Sequence, residues 1–142
     1  GVVEQIGDPR TVYRAAANRF VADFIGETNW VAAEVESSSD TLSLKSGIGT
    51  FTTSEGRGLS TGSKVWLGFR PEAVQIGSNG INSFETTITH VSYLGEVEQY
   101  GLECGTDKPV KAFEQNPAEI RRVGTTLTVH IRPQDCLVLP RN

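Results

Sequence analysis

The sequence predicts a mainly β fold, a barrel or sandwich, preceded by a helical segment. Three observations carry this. From Asn29 onward β-branched residues alternate with polar ones. Gly, Ser, Asn and Asp interrupt that alternation at intervals of about eight to twelve residues, the spacing of short antiparallel strands. And residues 62–76 match residues 124–138 in pattern, so one strand-and-corner motif is used twice.

The helical segment comes first. Asp8 precedes Pro9, which is a helix start: a side-chain oxygen caps free amides and Pro suits the first helical position. Val12, Ala16, Phe20 and Phe24 then recur at helical spacing, with Tyr13, Ala17 and Val21 beside them, an amphipathic stripe. Asn18 can cap a second helix, and Gly26 ends the segment. Strands follow near Trp30–Glu36, Thr41–Lys45, Gly49–Thr52, Lys64–Phe69, Phe84–Tyr93, Glu96–Cys104, Lys108–Phe113, Thr125–Ile131 and Cys136–Leu139. Ser37–Asp40 and Ser78–Gly80 read as connections. Asn116-Pro117-Ala118-Glu119 reads as one helical turn capped by Asn116.

The repeat has a physical logic. Gly62 leads into Val65, Leu67 and Phe69, then Arg70-Pro71; Gly124 leads into Leu127, Val129 and Ile131, then Arg132-Pro133. Proline cannot donate to a sheet ladder, so each Arg-Pro ends its strand and turns the chain. A short apolar exit follows, Val74 and Ile76 in one copy, Cys136 and Val138 in the other.

Composition narrows the function. The chain has 142 residues, 37% of them hydrophobic, and a formal charge of −4. That is one domain, or one domain plus an appendage. The acidic balance argues against nucleic acid, whose phosphates need clustered Lys and Arg. No apolar run approaches the roughly 18 residues that span a bilayer, and no basic and apolar leader is present. Cys104 and Cys136 lack a CxxC partner and read as reduced thiols.

The catalytic inventory is thin. The sequence holds no G-x-x-x-x-G-K-[ST] loop to cradle phosphates and no Gly-x-Ser-x-Gly elbow. Gly47-Ile48-Gly49 and Gly56-Arg57-Gly58 read as hairpin turns. His90 and His130 stand alone, without the three or four converging ligands that zinc wants. His130 is expected in solvent, and His90 hydrogen-bonded across a hairpin. Cys104 reads as structural, and strand alternation puts most of Glu72, Glu96, Glu98 and Glu103 on a wet face. No metal, cofactor or catalytic residue is assigned.

Four residues remain as contacts. Arg70 and Arg132 stand at equivalent places in the repeat and could clamp an oxyanion; the plainer reading is that each pairs with a nearby carboxylate such as Glu72. Trp66 alternates out of phase with its apolar neighbours and faces solvent or a subunit interface. Trp30 could likewise be a stacking platform.

The chain also resembles a known family. Gly1, Gln5, Gly7, Pro9, Tyr13 and the run Phe20-Val21-Ala22-Asp23-Phe24-Ile25-Gly26 are similar to the end of the ATPase domain in ATP-binding subunits of ABC-type importers. The family has Pro where Ala16 stands. Phe69-Arg70-Pro71-Glu72, Tyr93-Leu94-Gly95 and the stretch from Ile131 to Leu139 resemble the transport-associated OB-like (TOBE) domain that follows; nothing between Val35 and Leu59 matches it. The resemblance implies a division into 1–27, the remnant of an ATPase domain, and 28–142, a non-catalytic regulatory and dimerisation domain of OB-like fold in a polyamine, iron or sugar importer. It implies a homodimer through this domain, with the subunit's own ATPase domain and a membrane permease as partners. It places the subunit at the cytoplasmic face of the inner membrane, with ATP and magnesium bound upstream of this segment. A free-standing oxyanion or small-molecule binding module is the alternative. The transported solute is not legible.

Overall fold

The computed structural model describes residues 27–54 and 59–141. The predicted helical segment and the turn at Gly56-Arg57-Gly58 lie outside the described residues. Among the described residues ten strands form two five-stranded sheets, and every pairing is antiparallel. They are β1 (Asn29–Ser38), β2 (Leu42–Ser46), β3 (Gly49–Thr53), β4 (Lys64–Phe69), β5 (Gln75–Ile76), β6 (Ser83–Leu94), β7 (Val97–Glu103), β8 (Val110–Gln115), β9 (Thr126–His130) and β10 (Leu137–Pro140).

The repeat seen in the sequence is the visible part of a larger one. The first sheet has the order β10-β4-β1-β2-β3 and the second β5-β9-β6-β7-β8. Each half of the chain is therefore a three-stranded meander whose fourth strand returns beside the first. Each half then ends in a strand that joins the other half's sheet: β5 pairs with β9, and β10 with β4. The crossing is made by the two Arg-Pro corners. Arg70 (φ −76°, ψ 152°) and Arg132 (φ −66°, ψ 143°) are extended, as a residue before proline must be. A single 3₁₀ turn follows each, Pro71–Ala73 and Pro133–Asp135. It is closed by Ala73 N–H to Arg70 O at 2.9 Å and Asp135 N–H to Arg132 O at 2.9 Å.

Local details repeat with the same fidelity. Strand β1 bulges between Val35 and Ser37, and β6 between Ile88 and His90. Into each bulge a glycine of positive φ turns its N–H: Gly62 to Val35 O (2.8 Å) and Gly124 to Ile88 O (2.7 Å). The left-handed backbone there explains why both copies of the motif begin with glycine.

The core lies between the sheets. Val65, Leu67 and Phe69 of β4 point into it, and Leu127, Val129 and Ile131 enter from the other half. Phe84 brings the halves together, with its ring centroid 5.8 Å from Phe51 and 6.3 Å from Phe69. Such tilted aromatic pairs add to the burial of large rings.

Two local expectations need correction. Asn116 does not cap a helical turn. Its φ is +49°, and its N–H donates to Glu96 O (2.8 Å), so a contact with the β6–β7 hairpin overrides the local preference of Asn-Pro-Ala-Glu. His130 is not solvated: it is half-buried, with Nδ1 2.6 Å from Gly77 O.

Candidate functional site

The two Arg-Pro corners were the strongest sequence candidates. Arg70 follows β4, and a guanidinium nitrogen stands 3.9 Å from the exposed Glu72 carboxylate. Arg132 follows β9, and its Nε donates to Asp135 at 2.8 Å. Each corner thus sets its cation beside a carboxylate of the same corner. The corners belong to opposite sheets, and each meets the other half's third strand, Pro71–Ala73 against β8 and Pro133–Asp135 against β3.

Trp66 lies half-buried on the outer face of the first sheet. The Arg141 guanidinium sits 5.6 Å from its ring centroid, and Arg141 also donates to Ala33 O (3.0 Å) and Val65 O (3.2 Å). Trp30 covers the neighbouring Gly68, where a Cβ would lie 2.4 Å from the Trp30 ring. A cleft of about 480 Å³ opens beside the two tryptophans and runs to Thr106–Lys111.

Three features escaped the sequence. The first is a pair of asparagine clamps. Asn82 accepts from Thr52 N–H (2.7 Å) and donates to Thr52 O (2.9 Å) and Ile131 O (2.9 Å). Asn29 does the same to Lys111, accepting at 2.8 Å and donating at 2.9 Å. Each side-chain amide stands in for a peptide group and ties the first strand of one half to the third strand of the other. Only their placement in turn-rich stretches hinted at this.

The second feature is a polar network at the far end of the second sheet. Glu114 accepts Tyr100 Oη–H at 2.6 Å and Arg121 at 2.9 and 3.2 Å. The guanidinium bonds, with help from the tyrosine, hold the Glu114 carboxyl below its ordinary range against the opposing effect of burial. Burial, then Glu114 itself, pushes the Tyr100 phenol up. Glu98 stands opposite Glu114 in the ladder. Unlike the exposed Glu72, Glu96 and Glu103, it is buried, and its Oε1 has no hydrogen-bond partner.

The third is an exposed apolar face. Tyr93 at the tip of the β6–β7 hairpin, and Ile120 and Val123 on the β8–β9 connection, are 64–75% exposed, while Leu94 at the same tip points to the other side of the sheet. Tyr93, Ile120 and Val123 line a shallow depression of about 430 Å³.

The thiols are inert. Cys104 and Cys136 are both free. Burial raises both, Cys136 to about 12, so neither is a thiolate at neutral pH. His90 bonds along its own strand, Nε2 to Ser92 Oγ at 2.8 Å, instead of across the hairpin. Among the described residues no three His, Cys, Asp or Glu side chains converge on a metal position, and no helix is long and apolar enough to cross a membrane.

Comparison with known proteins adds what the geometry alone does not. The TOBE domain family matches residues 67–139. The spermidine/putrescine import ATP-binding protein PotA of Rubrobacter xylanophilus is 33% identical over 145 residues, covering 98% of this chain and 38% of that protein. The sn-glycerol-3-phosphate import ATP-binding protein UgpC of Salmonella choleraesuis is 33% identical over 135 residues, covering 92% of this chain and 36% of that protein. The chain therefore spans well under half the length of these relatives. Among solved structures, the cytoplasmic molybdate-binding protein ModG superposes with a TM-score of 0.62 at 12% identity, over 80% of this chain and 96% of that one. That likeness concerns the fold, and agrees with the OB-like architecture.

Proposed function

Since this chain belongs to the TOBE domain family, we propose that it is the accessory domain of an ATP-binding subunit of an ABC-type solute importer. In this role it pairs two such subunits while their ATPase domains open and close. The observation that carries the reading is similarity along nearly the whole chain to import ATP-binding proteins. The domain's own chemistry agrees with it. Among the described residues its ion pairs are structural, its thiols are inert, and the Tyr100–Glu114–Arg121 network joins a strand to a connection. Relatives with different solutes in their names share the domain, so solute choice is assigned to other components. The partners are a second copy, the subunit's ATPase domain and a membrane permease; ATP and magnesium belong to the ATPase domain.

The test is the mass of the isolated chain by sedimentation equilibrium. A reversible dimer is expected, and a monomer at every concentration up to about 1 mM, a Kd worth only some 4 kcal/mol, would overturn the pairing role.

A second reading is favoured by the matched Arg-Pro corners: a module that binds an oxyanion. ModG carries bound molybdate in its structure. This reading predicts saturable binding of molybdate or sulfate that Arg70→Ala abolishes. It competes with the carboxylates that already face both guanidiniums.

A further inference from the structure

We propose that the apolar face built by Tyr93, Ile120 and Val123 is the surface on which a second copy of this chain docks, through a two-fold contact. The inference rests on the pairing role above and names its location. Three of the five large exposed hydrophobics among the described residues, Tyr93, Ile120 and Val123, gather on one side of the hairpin tip and the connection beside it. Scattered apolar residues on a surface need no explanation, but a gathered group marks an interaction site.

The face is held rigid. Arg121, between Ile120 and Arg122, is fixed by two bonds to Glu114, and Tyr100 fixes Glu114 from below. Gly124 N–H is bonded to Ile88 O (2.7 Å) and Asn116 N–H to Glu96 O (2.8 Å), so both ends of the connection are tied to the sheet. A surface fixed before binding loses little conformational entropy when it docks.

The rim indicates the occupant. Glu119 and Arg122 adjoin the apolar centre in sequence and both are exposed; Glu119 adds to the field at Arg121, and neither makes a close ion pair among the described residues. A partner of one charge sign would satisfy only one of them. A second copy related by a two-fold axis brings Glu119 of each chain against Arg122 of the other, because an isologous interface is self-complementary.

The experiment is sedimentation equilibrium on the whole chain, with circular dichroism to confirm folding. Ile120 is 75% exposed, so Ile120→Glu leaves the fold intact. It is expected to weaken the dimer by about tenfold or more, as loss of a central apolar contact does. Glu119→Lys and Arg122→Glu should each weaken self-association, and mixing these two variants should restore a heterodimer, since each then opposes the other's charge. If the wild type dimerises and none of these changes matters, the pairing role stands and this surface is wrong. If the wild type is monomeric throughout, the pairing role fails and the face belongs to a different occupant, the rest of the subunit or another protein.

Discussion

Asn82 holds two halves of the molecule with one side chain. It is buried, sits at φ +53°, and contacts three backbone groups of other strands. Asn82→Ala leaves the Thr52 N–H and two carbonyls unsatisfied and places a Cβ-only residue in left-handed backbone. A loss of about 2–4 kcal/mol in denaturant unfolding is expected. The twin substitution Asn29→Ala should cost about 1 kcal/mol, because water reaches the exposed Lys111 strand edge and replaces the lost bonds. Equal losses would show that the clamps do not differ as their burial implies. At Gly68 the constraint is steric. Gly68→Ala drives a methyl into the Trp30 ring, so the ring must move, at a cost of about 1–3 kcal/mol. In a Trp66→Phe background the emission of Trp30 should shift while circular dichroism stays unchanged; an unmoved spectrum would contradict the contact.

At the scale of elements, the connection after β8 is pinned by charge. Glu114 has a depressed carboxyl because Arg121 and Tyr100 donate to its ionised form. A depressed carboxylate contributes stability above its unfolded pKa of about 4.3 and loses it as pH falls through the lower folded value. Wild-type unfolding free energy should therefore drop as pH falls from about 4.5 toward 3, and Arg121→Met should flatten that drop while lowering stability at pH 7. An unchanged pH profile in the variant would remove Arg121 from the account. This pairing was invisible in the sequence, because Glu114 and Arg121 occupy a strand and a loop with no periodicity between them. By contrast β4 was legible to the residue: Val65, Leu67 and Phe69 alternate inward and Pro71 forbids continuation. Strand β5 is only Gln75–Ile76, too short for any period to show. Arg70 and Arg132 could be found because the repeat displays them twice; the carboxylate beside Arg132, Asp135, lies in the turn that the repeat itself creates.

For the whole molecule, the exchange of β5 and β10 makes the halves interdependent. Residues 27–77 without the rest lack β10 beside β4, and residues 78–142 lack β5 beside β9. Both also lose the inter-sheet packing around Phe51, Phe69 and Phe84. Expressed separately, each half should show no cooperative unfolding transition, and mixing them should restore one. A half that melts cooperatively alone would mean that its own three-stranded meander and returning fourth strand suffice. The interlock was half-legible. The matching corners announced two related units, but the meanders have diverged so far in side chains that only their bulges, clamps and strand order reveal the kinship. Sequence pattern records what a strand buries; it does not record which strand it lies beside.

The order β10-β4-β1 has a mechanical meaning. Strands β1 and β10 both run antiparallel to β4, and so parallel to each other, with Asn29 opposite Phe69 at one end and Pro140 opposite Val65 at the other. A pull on the incoming chain at Asn29 and the outgoing chain at Pro140 therefore acts along the strands, in opposite directions, through β4. The ladder bonds on both sides of β4 are loaded together in shear instead of being peeled one at a time, and the second sheet is spared the load. A body tethered at these two points while its neighbours swing would resist tension with one three-strand splint and keep its other sheet, with the Tyr93 hairpin, undistorted.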